Sequence, residues 1–136
     1  MANTVTSQTL VDDEDRVVVK FTNQSDGTAE TALKKVDVST FNASGLGLGN
    51  CSGVIIEKIV ADISGMTVKM LWDATADTLC FTVSESGTWD FRHEGVKGIE
   101  NDAGAGKTGD LMFTTIGHTS GDYYSIVLYM RKEYSE

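Results

Sequence analysis

The sequence predicts an all-β protein, an antiparallel β-sandwich or jelly roll in a single domain, and three observations predict it. Between Gly65 and Phe91, Met66, Val68, Met70 and Trp72 share one parity while Thr67 and Lys69 hold the other, which is the two-residue period of a strand buried on one face. Roughly eight to ten such extended runs fit along the chain, separated by turn residues, as in sandwiches and barrels. The chain has no proline and little that reads as helix. At 136 residues, one domain buries roughly two thirds of the surface its unfolded chain exposes, enough for a core without staples.

Thr4 to Leu10 is rich in Thr and Val and forms a first extended segment. Residues 1–10 are expected as an N-terminal arm or edge strand, and residues 11–136 as the sandwich. Asp12-Asp13-Glu14-Asp15 lacks the glycine and terminal Glu spacing of a calcium loop and reads as a solvated hairpin turn. Arg16 to Thr22 follows as a strand with Val17, Val19 and Phe21 on one side, and Asn23 to Gly27 is turn chemistry. Thr28 to Leu33 reads as a loop, Lys34 to Ser39 as a short strand, and the glycine-rich Asn42 to Gly53 as a long surface loop.

Val54 to Ile63 is ambiguous. Ile55, Ile56, Ile59, Val60 and Ile63 match a helical stripe, while Ile55, Ile59, Ala61 and Ile63 match an alternation broken at Glu57. Its β-branched content favours a strand lying beside the hairpin that follows. Ser64-Gly65 then turns into Met66 to Trp72. After the elbow Ala74 to Asp77, Leu79, Phe81 and Val83 are expected on that same buried face, with Cys80 pointing away. Both tryptophans flank this hairpin, which is expected to be the centre of the sheet structure, and Trp89 and Phe91 carry a core-facing parity. Arg92 to Gly109 is sparse in apolar residues and reads as a surface excursion anchored by Val96 and Ile99. Asp110 to Ile116 resumes a strand. Tyr123 to Lys132, apolar at nearly every position, reads as a strand buried on both sides.

The composition excludes several functions. A formal charge of -9 with scattered basic residues argues against nucleic-acid binding, which needs clustered Lys and Arg. No apolar run reaches the ~20 residues that cross a bilayer, and the opening residues lack a secretory signal. Synthesis in a cytoplasm is expected, and with it two free thiols, Cys51 and Cys80. Two Cys and two His far apart give no zinc spacing, and no metal or cofactor is expected.

Motifs of catalysis are incomplete. Gly104-Ala105-Gly106-Lys107-Thr108 carries the tail of a phosphate-binding loop, but Asn101 stands where its first glycine belongs and no helix pattern follows. Gly45-Leu46-Gly47-Leu48-Gly49 is similar to a dinucleotide fingerprint without its third glycine. His93 and His118 sit in turns with no nucleophile elbow nearby. Asp62 with Asp73, or Asp90 with Glu94, would be an acid pair only if the fold brought them into a cleft. Trp72, Trp89, Tyr123 and Tyr124 are the candidates for stacking on a sugar, although the tryptophans' parity places them in the core. An enzyme is not expected.

Ser64-Gly65-Met66-Thr67-Val68-Lys69-Met70-Leu71-Trp72-Asp73-Ala74-Thr75, with Gly104 to Thr115, Gly121 to Leu128 and the opening Met1 to Leu10, resembles small virion structural proteins of tailed phages, particularly those infecting marine bacteria. The likeness spans most of the chain. It implies a capsid decoration or cement protein, located on the capsid surface of the virion, whose partners are the major capsid protein and other copies of itself as a trimer or dimer. The expected contacts are Ala2, Asn3, Thr4, Val5, Thr6 and Gln8 of the arm, Leu46 and Leu48 of the first glycine-rich loop, and Lys107 of the second. A tail, fibre or neck component, or a carbohydrate-binding module, is the alternative.

Overall fold

The computed structural model describes residues 4–13, 15–24, 33–41, 50–92, 98–117 and 121–134, Thr4 and Val5 by backbone only. Nine strands are present among them: β1 (Thr4–Asp12), β2 (Arg16–Gln24), β3 (Leu33–Val36), β4 (Cys51–Ser64), β5 (Thr67–Trp72), β6 (Thr78–Val83), β7 (Gly87–Asp90), β8 (Leu111–Ile116) and β9 (Tyr123–Tyr134). They form two antiparallel sheets, one in the order β1-β2-β9-β4-β7 and the other β3-β8-β5-β6, packed face to face as a β-sandwich.

Alternation decides which side chains go between the sheets. Val17, Val19 and Phe21 of β2 meet Val68, Met70 and Trp72 of β5 in one buried cluster with Leu111 and Phe113 of β8. Phe113 is gripped edge-on by Phe21 and Tyr124 at ring separations of 5.4 and 5.8 Å, so aromatic pairs lock the two sheets together. Along the β6 and β7 edges the sandwich is closed by Phe81, which packs edge-on against Trp89 at 5.8 Å and Phe91 at 5.3 Å.

The centre lies elsewhere than in the β5–β6 hairpin. The longest ladder joins β4 to β9, from Cys51 opposite Tyr134 to Ser64 opposite Tyr123, whereas β6 is an edge strand. β4 does not lie beside the hairpin either. Its chain leaves one sheet at Ser64 and enters the other at Thr67. Gly65 makes the crossing at φ +76, where a side chain would strike the Asp122 carboxylate.

Two bulges rearrange the expected faces. Ile56 pairs with Met130 and Lys58 with Tyr129, leaving Glu57 as the inserted residue. The insertion shifts the parity of β4, so Val54 and Ile56 before it and Ile59, Ala61 and Ile63 after it all reach the core. That shift is why the segment mimics a helical stripe. In β6, Met70 pairs with Phe81 and Leu71 with Leu79, so Cys80 is inserted. Leu79 is thereby turned to the outer face, 53% exposed, and Cys80 packs partly against the core, the reverse of the alternation expected.

Other expectations are adjusted locally. β9 is not buried on both sides: Tyr124, Ile126, Leu128, Met130 and Lys132 are buried and the intervening residues are exposed or half-exposed, because no layer covers that sheet's outer face among the described residues. Trp89 is half-buried at the β7 edge rather than enclosed. The strand expected from Lys34 to Ser39 ends at Val36, and a short 3-10 turn, Val38–Thr40, takes over. Asp37 starts that turn by accepting the Ser39 N–H at 3.1 Å. β4 begins at Cys51, inside the expected loop. Residues 42–49, Thr28, His93, Glu94, Val96 and His118 lie outside the described residues.

Candidate interaction surfaces

Three features stand out on the surface. The first is β1. Among the described residues it pairs only with β2, through a ladder from Thr4 opposite Gln24 to Asp12 opposite Val17 that shifts register between Thr9 and Val11, and its side chains from Thr6 to Val11 are all exposed. Its attachments beyond the ladder include a hydroxyl contact between Thr6 and Thr22 and an ion pair between Asp12 and the buried ammonium of Lys132. Natural sheet edges are usually guarded by lysine, proline or brevity. Thr4–Asp12 is nine residues long with no basic residue and no proline, whereas the opposite sheet's edge β3 has four residues, two of them Lys34 and Lys35. The Asp12–Arg16 turn is held by Asp13, whose carboxylate accepts the N–H groups of Asp15 at 3.1 Å and Arg16 at 2.8 Å. Those bonds hold its pKa below the ordinary carboxylate value.

The second feature is a groove of about 810 Å³ at one end of the sandwich, lined by Ser39, Ser52, Glu100, Lys107, Glu133 and Tyr134 among others. Gly109 closes its floor at φ +87, with the Ser52 carbonyl where a side chain would stand. The loop beside it is fastened by Thr108, which donates its hydroxyl to Asp73 at 2.9 Å and its N–H to the Asp73 carbonyl at 3.1 Å. Asp110, buried next to it, accepts the Val38 N–H at 2.9 Å and pairs with Lys34 at 2.9 Å. The fragment resembling a phosphate-binding loop is thus a structural connection.

The third was missed in the sequence. The chain contains three arginines, Arg16, Arg92 and Arg131, and the fold brings them together on the outer face of the five-stranded sheet around Glu57. Arg16 Nε lies 3.0 Å and Arg131 Nη2 3.6 Å from the Glu57 carboxylate. The backbone N–H of Phe91 donates to the Glu57 carbonyl at 2.9 Å, which sets the following Arg92 beside them. Arg92 forks onto Asp90 at 3.1 and 2.9 Å and holds the Asp90 pKa down at about 2. Lys58 stands 5.3 Å above the Tyr129 ring. The acid interrupting the alternation of β4 was the available signal.

Of the expected contact residues, Ala2, Asn3, Leu46 and Leu48 lie outside the described residues, as do the side chains of Thr4 and Val5. Thr6 and Gln8 lie exposed on β1, and Lys107 lines the groove away from that strand. The residues named for sugar stacking do not form a platform: Trp72 and Tyr124 are fully buried, and Tyr123 is 40% exposed. Asp62 accepts from the Ser86 hydroxyl and Asp73 from Thr108; they serve separate turns. Among the described residues, no three His, Cys, Asp or Glu side chains converge as a metal would require.

Cys51 and Cys80 are both free thiols. They lie in different sheets. Burial pushes the Cys80 pKa up to about 12 and raises that of Cys51. The thiolate is the reactive form, so iodoacetamide at neutral pH is expected to leave both unlabelled in the native protein and to label both in denaturant. Rapid native labelling of Cys80, read by mass spectrometry, would show its site to be open.

No family model matches the chain, and no curated protein matches it.

Proposed function

We propose that this chain is a structural protein of a phage particle, a decoration or cement protein that binds the outside of the head and bridges neighbouring capsid subunits. The sequence resemblance supplies the particle. What supports the reading is β1, which lies at the rim of its sheet among the described residues, has neither lysine nor proline along its nine residues, is interrupted by one bulge between Thr9 and Val11, and carries an exposed row of Thr, Ser and Gln. That edge carries the reading, because an edge strand recruits another strand by main-chain hydrogen bonds alone. One such contact is modest, but repetition across a shell multiplies it.

The test is co-sedimentation with purified empty shells, using the full chain and a variant lacking residues 2–10. The deletion stops short of Asp12 and so preserves its pair with Lys132. Shell binding by the full chain and its loss in the folded deletion variant is the expected result. Equal occupancy by both removes the edge from the mechanism, and failure of the full chain to bind removes the capsid assignment.

A further inference from the structure

We infer that β1 is an exchangeable strand, which leaves β2 of its own chain and takes the same place on β2 of a second copy. The inference does not rest on the phage reading, and the exchange leaves the outer edge of β1 as it was.

The first support is what β1 leaves behind. The buried core begins at Val17 and takes residues from β2, β3, β4, β5, β6, β8 and β9, with Trp89 of β7 packed against it, and none of the described side chains of β1 takes part. Any other strand unmakes the core by leaving. Departure of β1 turns β2 into an edge and leaves Val17, Val19 and Phe21 in the core. What is given up is the backbone ladder with Val11 opposite Val18, the Thr6–Thr22 contact and the ion pair of Asp12 with Lys132. Segments with so few buried apolar contacts open at the low end of a protein's stability range.

The second is the seat. Every other copy carries the complement of β1 already built, because the ladder, the hydroxyl contact and the Asp12–Lys132 pair are all remade between chains. The seat also selects its occupant. A strand without a carboxylate at the register of Asp12 removes a partner from the Lys132 ammonium, whose side chain is 0% exposed.

The third is the hinge. Three residues join the end of β1 at Asp12 to the start of β2 at Arg16, and the turn is held by the Asp13 carboxylate and by the Asp13 N–H, which donates to the Arg16 carbonyl at 2.9 Å. Hinges this short invite exchange. Extended, the connection makes β1 and β2 one strand from Thr4 to Gln24, and two such strands pair antiparallel about a dyad at the hinge. β9 flanks β2 on the side away from β1, so the two bodies lie on opposite sides of the ribbon and the pair closes as a dimer. The dyad brings Asp13 and Asp15 of both copies together, and salt favours the dimer by screening them.

The experiment uses the contact of Thr6 with Thr22. Full-length Thr6→Cys and Thr22→Cys chains, each with native circular dichroism, are mixed, incubated and mildly oxidised; a bridge between positions 6 and 22 forms where β1 of one chain sits on β2 of the other. Peptide mass spectrometry distinguishes that bridge from one involving Cys51 or Cys80. The bridged dimer is expected to rise with protein concentration and with salt, and to exceed by about tenfold that of Thr6→Cys mixed with Lys69→Cys in the other sheet. Gln8→Cys with Lys20→Cys, two residues along the ladder, repeats the measurement where a threonine variant fails to fold. Absence of the bridge at every protein concentration overturns the proposal. So does an equal yield with Lys69→Cys, or Thr6→Cys chains bridging to one another as readily as to Thr22→Cys chains.

Discussion

Replacing Trp72 by alanine is expected to cost about 3–5 kcal/mol, the range for deleting a large aromatic from a close-packed core. Trp72 is completely buried on β5, its strand neighbours being Thr78 and Leu111, at the point where both sheets' side chains interdigitate. Total stabilities of domains of this size are about 5–15 kcal/mol, so the variant should unfold at a much lower urea midpoint or fail to accumulate folded. Trp72→Phe is expected to be far milder. The indole N–H has no hydrogen-bond partner among the described residues, and removing a buried unsatisfied donor returns about 1–3 kcal/mol against the smaller cavity left behind. Urea denaturation of the pair checks both; an alanine variant within about 1 kcal/mol of the parent would place the indole outside the core.

The second large effect is expected at Glu57. Glu57→Ala leaves Arg16 and Arg131 facing each other across the sheet without their shared counter-charge. Breaking a fully buried pair costs about 3–5 kcal/mol. Here the guanidinium groups are nearly half exposed and water compensates part of the loss, so about 2–3 kcal/mol is expected. Glu57→Gln keeps the shape and removes the charge, and should fall between parent and alanine. Because the bulge at Glu57 sets the parity of β4, amide exchange along β4 and β9 should quicken more than along β5 and β8. Uniform quickening would mean that the acid stabilises the domain without fixing its register.

Much of the fold was legible because alternation is a local property. Val17, Val19 and Phe21, or Val68, Met70 and Trp72, sit two residues apart on a pleated strand, with Met66 just before the second strand, and all seven are buried as read. What misled was a one-residue insertion. At Cys80 it turned Leu79 outward, and at Glu57 it made a strand look helical, since a bulge shifts the parity of every residue beyond it. The arginine cluster was hidden for another reason. Arg16, Arg92 and Arg131 are scattered in the chain and become neighbours only through the pairing of β2 with β9, β9 with β4 and β4 with β7. The β1 edge was half-visible: its Thr-rich composition marked an extended segment, while its place at the rim of the sheet depended on what else paired with β2.

By itself, then, the amino-acid order determined that this chain folds as alternating strands in one two-layered domain, and which side chains of most strands would be covered, because both follow from the two-residue repeat of extended backbone. Only the tertiary structure decided that β4 and β9 form the spine, that β1 lies at the rim of its sheet among the described residues, and that Arg16 and Arg131, 115 residues apart, share one buried carboxylate. A repeat along a strand specifies which face is apolar and carries no information about which strand lies alongside; that choice is made by long-range packing between sheets.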